Sequence, residues 1–115
     1  FDCLFDAISF FLVPSRAPDL VAARNSSSTS LVVKWSHLSK NHFRGEPIGY
    51  QIFYYPANAE KERISMTVNY TTNTKTLTNL TVYTMYVINV LAVSSGGIGP
   101  ARTARARTDA EGKYV

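Results

Sequence analysis

Cysteine is nearly absent: the 115 residues contain one, Cys3. A single thiol cannot close an internal disulfide, so every disulfide-stapled scaffold is excluded, as is every metal site built on paired cysteines. Histidine is almost as scarce, with only His37 and His42. Charged residues make up 17% against 45% hydrophobic, which excludes disorder on composition and leaves enough apolar surface for a core. The length excludes a two-domain enzyme and suits one domain. No apolar run approaches the roughly 20 residues that cross a bilayer. No twelve-residue segment shows the apolar spacing of a helix. The charge excess is only +4.

The ends differ in character from the middle. Residues 1–13 are rich in phenylalanine, hold Cys3, and carry a short apolar run, Ala7–Val13, with Asp2 and Asp6 before it. The segment lacks the basic start of a signal peptide and is read as a leader or fragment end outside the fold. With Phe rather than Met as its first residue, the chain is expected to be a fragment or a processed piece of something longer. Residues 110–115 read as the start of a linker, and residues 14–109 as the domain.

That middle alternates with period two. Leu31, Val33 and Trp35 share a face against Val32, Lys34 and Ser36; Tyr50, Ile52 and Tyr54 oppose Gln51, Phe53 and Tyr55. Ile64, Met66 and Val68 alternate with Arg63, Ser65 and Thr67, and Tyr86, Ile88, Val90 and Ala92 line one face of a long run. Turn-forming clusters separate the runs. Strands are expected at 18–24, 29–37, 48–55, 62–69, 74–78, 83–93 and 102–108, which makes an all-β, seven-stranded antiparallel sandwich.

In order and spacing, these residues resemble a fibronectin type III domain over about Pro14 to Asp109. Pro14 and Pro18 precede the first strand, and Trp35 closes the second. Gly49-Tyr50-Gln51-Ile52-Phe53-Tyr54 resembles the family's third strand. The pattern Leu77, Leu80, Thr84, Tyr86, Ile88, Val90, Ala92, followed by Gly97 and Gly99, is the most specific piece. The resemblance implies an immunoglobulin-like sandwich with Leu31, Val33, Trp35, Tyr50, Ile52, Leu77, Leu80, Tyr86, Ile88, Val90 and Ala92 in its core. It also implies that Tyr86 is a corner tyrosine whose hydroxyl ties to upstream backbone. A true immunoglobulin domain would have cysteine where Ile88 stands, and Trp-Ser-x-Trp-Ser, the mark of cytokine receptors, is missing.

Candidate chemistry is thin. His37, His42 and Glu46 lie near one loop, expected to be polar and open, without a further ligand in sequence. Cys3 has no histidine near it. Arg44-Gly45-Glu46 differs from Arg-Gly-Asp in its acid and in its loop, and reads as a turn in which Gly45 bends the chain. No catalytic residue, metal or cofactor is implied. Arg102, Arg105 and Arg107 make the last strand basic, either as edge protection or as a weak polyanion contact. No aromatic platform interleaves with them, so nucleic acid is not expected, nor is membrane contact by this domain.

Two signals bear on function. Three sequons, at Asn25, Asn69 and Asn79, are candidates for N-glycosylation and favour an extracellular setting. If the third and sixth strands are neighbours, Phe53, Tyr55, Val87, Leu91 and Val93 gather on the outer face, either covered by long side chains or an adjoining strand, or in contact with a neighbouring domain or a partner chain. The expected role is a non-catalytic extracellular module of a cell-surface protein, acting as spacer and protein contact beside neighbouring domains. Tandem domains of this kind occur in adhesion molecules and receptor-type tyrosine phosphatases. The alternatives are an intracellular scaffold module of the giant muscle-protein type, or an accessory module beside a catalytic domain.

Overall fold

The computed structural model describes residues 12–110. Cys3 and most of the expected leader, with the end of the expected linker, lie outside the described residues. Seven strands form: β1 (Ala22–Ser27), β2 (Ser30–Lys34), β3 (Pro47–Pro56), β4 (Ile64–Asn69), β5 (Thr74–Leu77), β6 (Met85–Ser94) and β7 (Gly97–Arg107). They build two antiparallel sheets, ordered β1-β2-β5 and β4-β3-β6-β7. The period-two runs supply the seam between them. Leu31, Val33, Tyr50, Ile52, Leu77, Ile88, Val90 and Ala92 are fully buried, while their alternating neighbours face outward or lie at the rim. Each aliphatic side chain removed from water in this way contributes about 1.5–3 kcal/mol.

Aromatic rings fill the end of the seam nearest α1 (Lys40–Phe43). The Tyr50 ring lies 5.5 Å from that of Trp35 and 5.8 Å from that of Phe43, in tilted and edge-on arrangements. The Tyr50 hydroxyl accepts a 2.8 Å hydrogen bond from the Leu38 N–H, which fixes the chain just after it leaves β2. Trp35 is 3% exposed, and its Nε1–H has no hydrogen-bond partner among the described residues. An unpaired buried donor costs about 1–3 kcal/mol, whereas burying some 150–250 Å² of indole returns about 4–6 kcal/mol. Packing therefore outweighs the orphaned donor.

The crossover from β5 to β6 is tied from both sides. Tyr86 accepts a 2.9 Å bond from the Thr81 N–H, the corner geometry expected of it. Thr108, 1% exposed just after β7, donates its hydroxyl to the Thr81 carbonyl at 2.7 Å and accepts the Thr84 N–H at 2.9 Å. Leu80 plugs the core below, and its N–H reaches the Thr29 carbonyl at 2.9 Å. Gly49 marks a close approach: a Cβ there would run into the Val68 carbonyl of β4, so no other residue fits without moving that strand.

Several expectations need correction. The first strand starts at Ala22 rather than 18, because Leu20 has φ +53° and the chain from Pro18 makes a turn, with Asp19 accepting the Ser36 N–H at 2.8 Å. The last strand starts at Gly97 rather than 102, because Ser94 pairs with Gly97 and leaves only Ser95 and Gly96 as the hairpin loop. The loop expected to be polar and open is anchored instead. It contains the single-turn helix α1, with Phe43 1% and Leu38 8% exposed. In Arg44-Gly45-Glu46 the bend falls on Arg44, at φ +67°, with Gly45 N–H donating to the Phe43 carbonyl at 2.8 Å. This is a γ-turn, a strained conformation for a residue with a Cβ. Gly45 is needed for space, since a Cβ would lie 2.7 Å from both the Leu12 carbonyl and the Ser95 hydroxyl oxygens.

Three outcomes follow from these contacts. Tyr50→Phe leaves the Leu38 N–H unpaired in the core and lowers unfolding free energy by about 1–3 kcal/mol in urea titration. Arg44→Gly relieves the γ-turn and raises the melting temperature, by an amount reduced by the greater freedom of glycine in the unfolded chain. Burial holds the phenols of Tyr50 and Tyr54 above their ordinary 10.0, and Tyr86 adds to the rise at Tyr54. The unfolded chain ionises first, so this stability is intact below the unfolded value and is lost as pH climbs through the raised folded values. Urea midpoints should fall as pH rises above about 10, less steeply in Tyr50→Phe.

Candidate functional site

The four-stranded sheet turns one face to the core and one outward. Its register places Tyr55 opposite Val87 and Val87 opposite Arg105; Phe53 opposite Asn89 and Asn89 opposite Thr103; Gln51 opposite Leu91; and Gly49 opposite Val93. Phe53, Tyr55, Val87, Leu91 and Val93 thus share the outer face, but polar groups interleave with them. Thr103 donates to Asn89 Oδ1 at 2.5 Å, which closes the middle of the face. Val87 and Leu91 are 6% and 5% exposed and hold the face together rather than offering surface. Phe53, Tyr55 and Val93 are half-buried and form its reachable apolar part.

The arginines divide. Arg105 and Arg107 lie outward on β7, with the Arg107 guanidinium 4.9 Å from the Tyr83 ring centroid. Arg102 projects to the other side, where its Nη2 stands 3.8 Å from Asp19 Oδ1; both side chains are about half exposed. An ion pair so wet is worth little, but it removes Arg102 from the expected basic trio. Arg63, which was not among the expected site residues, joins the outer face, its guanidinium 4.8 Å from the Phe53 ring centroid. Its alternation with Ile64, Met66 and Val68 was visible in sequence, but the aromatic it covers depends on how β4 pairs with β3. The outward positions of β3, β4, β6 and the 101–107 part of β7 carry no Asp or Glu. The face thus carries cations stacked on aromatic rings, with Glu60 beside Arg63 at its rim.

The other expected positions are scattered. His37 donates Nε2–H to the Thr71 carbonyl at 3.0 Å, while His42 Nδ1 lies 3.2 Å from the Ser15 hydroxyl. Glu46 is tied by its backbone to Ser95 across the β6–β7 hairpin. Among the described residues no three His, Cys, Asp or Glu side chains gather as a metal site, and no helix is long and apolar enough to cross a membrane. Asn25 lies in β1, Asn69 closes β4, and Asn79, at φ +59°, belongs to the crossover from β5 to β6; all three are exposed.

A profile of the fibronectin type III domain family matches residues 16–108. Protein sidekick of Drosophila melanogaster is 38% identical over 92 residues, covering 79% of this chain and 4% of that protein. Contactin-6 of Mus musculus is 28% identical over 89 residues, covering 76% of this chain and 9% of that protein. Among solved structures, the fn3 domain of human contactin 1 superposes with a TM-score of 0.76 at 30% identity, covering 89% of this chain and 84% of that one. The chain thus spans less than a tenth of the length of these two relatives.

The stacked pair on the outer face can be isolated. A double-mutant cycle of Arg63→Ala with Phe53→Leu should give a coupling of about 0.5–1 kcal/mol, the range of an exposed cation–ring contact. A coupling of zero means that the two side chains merely pass each other.

Proposed function

We propose, from the premise that the chain belongs to the fibronectin type III domain family, that it serves as a non-catalytic extracellular module of a larger cell-surface protein. It spaces neighbouring domains and presents the outer face of the four-stranded sheet to a protein partner. The observation that carries this reading is the make-up of that face: Phe53 and Tyr55 half-buried, Arg63, Arg105 and Arg107 around them, and no acid at its outward positions. Arginine and large aromatics are the side chains that anchor protein contacts. The family match and the similarity to sidekick and contactin proteins support an adhesion-type module. The three sequons favour the secretory route.

Two measurements test the two halves of the reading. An antibody raised against this chain should stain the parent protein on intact cells; staining that needs permeabilisation contradicts the extracellular placement. Beads coated with the chain should adhere to those cells, and Phe53→Ser with Arg105→Glu should weaken adhesion by about tenfold or more while the chain stays folded at the assay temperature. Undiminished adhesion removes the outer face from the account.

A further inference from the structure

We infer that the fold ranks the three sequons, with Asn69 the principal N-glycosylation site and Asn25 the poorest. The inference rests on the extracellular reading for its biological setting, but its structural content is independent of it. In Asn69-Tyr70-Thr71 all three residues are exposed, Tyr70 at 39%. They form a turn closed by the Thr72 N–H on the Asn69 carbonyl at 2.9 Å. Asn69 Oδ1 accepts both the Thr71 N–H and the Thr71 hydroxyl, each at 2.9 Å. The amide oxygen is thereby occupied, and Nδ2, the atom that receives the sugar, has no hydrogen-bond partner among the described residues. Its strand neighbour is Gly49, which has no side chain to crowd a first sugar.

The other two sequons are bound into the fold. Asn25 Nδ2 donates to Asp109 Oδ1 at 2.5 Å, and Asp109 is 3% exposed. The Asp109 N–H in turn holds the Ser27 carbonyl at 3.1 Å, and the Ser27 hydroxyl lies 2.6 Å from that of Ser30. A sugar on Asn25 would take one of the two Nδ2 hydrogens and place its first ring beside a buried carboxylate. In Asn79-Leu80-Thr81 the first side chain is exposed, but Leu80 is 6% exposed and the Thr81 N–H is held by Tyr86.

In the transfer itself, Nδ2 forms a bond to the anomeric carbon of a lipid-diphosphate-linked oligosaccharide. The carbon–oxygen bond to the diphosphate breaks, its electron pair leaves with the lipid diphosphate, and a base of the transferase takes one Nδ2 proton. A glycan at Asn69 stands at the end of β4, an edge strand with Ile64 53% exposed, where it hinders strand addition by another chain.

The test is to secrete the 115-residue chain from a eukaryotic cell behind an added signal peptide and map occupancy by peptide mass after enzymatic deglycosylation in heavy-oxygen water. Asn69 should be occupied in most molecules, Asn79 less and Asn25 least. Thr71→Ala should abolish the Asn69 glycan while the secreted chain stays folded by circular dichroism, and Thr71→Ser should retain part of the glycan. An unmodified Asn69, or Asn25 occupied as fully as Asn69, overturns the inference. The added signal forces entry to the secretory route, so this result does not depend on where the parent protein resides, which staining of intact cells tests separately.

Discussion

The burial of Tyr50 is the constraint on which the rest of the structure depends. It sits in the middle strand pair, fully buried, with its ring against Trp35 and Phe43 and its hydroxyl on the Leu38 N–H. One side chain thus joins the two sheets and also fixes the connection that carries the chain from one to the other. Because described residues 12–110 contain no cysteine, this seam is held by packing and by a few buried hydrogen bonds rather than by a cross-link. Tyr86 does the equivalent work at the opposite crossover, with Thr108 as its counterpart from β7.

This division of labour explains how the outer face can differ in kind from the inner one. The same strands that supply Tyr50, Ile52, Ile88 and Val90 to the seam present Phe53, Tyr55, Asn89 and Arg105 outward. Register is set from within, since a slip of one residue would drive Phe53 and Arg105 into the core. The outward residues can therefore be chosen for contact without endangering the fold. Stacking Arg63 on Phe53 and Arg107 on Tyr83 keeps large aromatic surface partly covered while leaving cations at the rim.

Much of the fold was legible because period-two alternation survives in β2, β3 and β6, and because Trp35 and Tyr86 occupy positions that only a sandwich explains. What was missed has physical causes. Phe43 and Leu38 sit in an otherwise polar stretch without periodicity, so their burial depends on the tertiary pocket beside Tyr50. Thr108 reads as an ordinary strand residue, and its hydrogen bonds appear only once β7 lies beside the crossover. Arg102 has the same parity as Ala104 and Ala106 and so turns from Arg105 and Arg107, but its partner Asp19 is more than eighty residues away in sequence. The contrast among the sequons was equally hidden, because Asn25 and Asp109 meet across the length of the domain.

If buried tyrosines do fix both connections, then loop amides must be as protected as strand amides. Native-state hydrogen exchange measures this directly. The Leu38 and Thr81 N–H groups should exchange only on global unfolding, with the same free energy as the amides of Ile52 and Ile88. Exchange of Leu38 and Thr81 at the rate of exposed loops, while the strands stay protected, would contradict it.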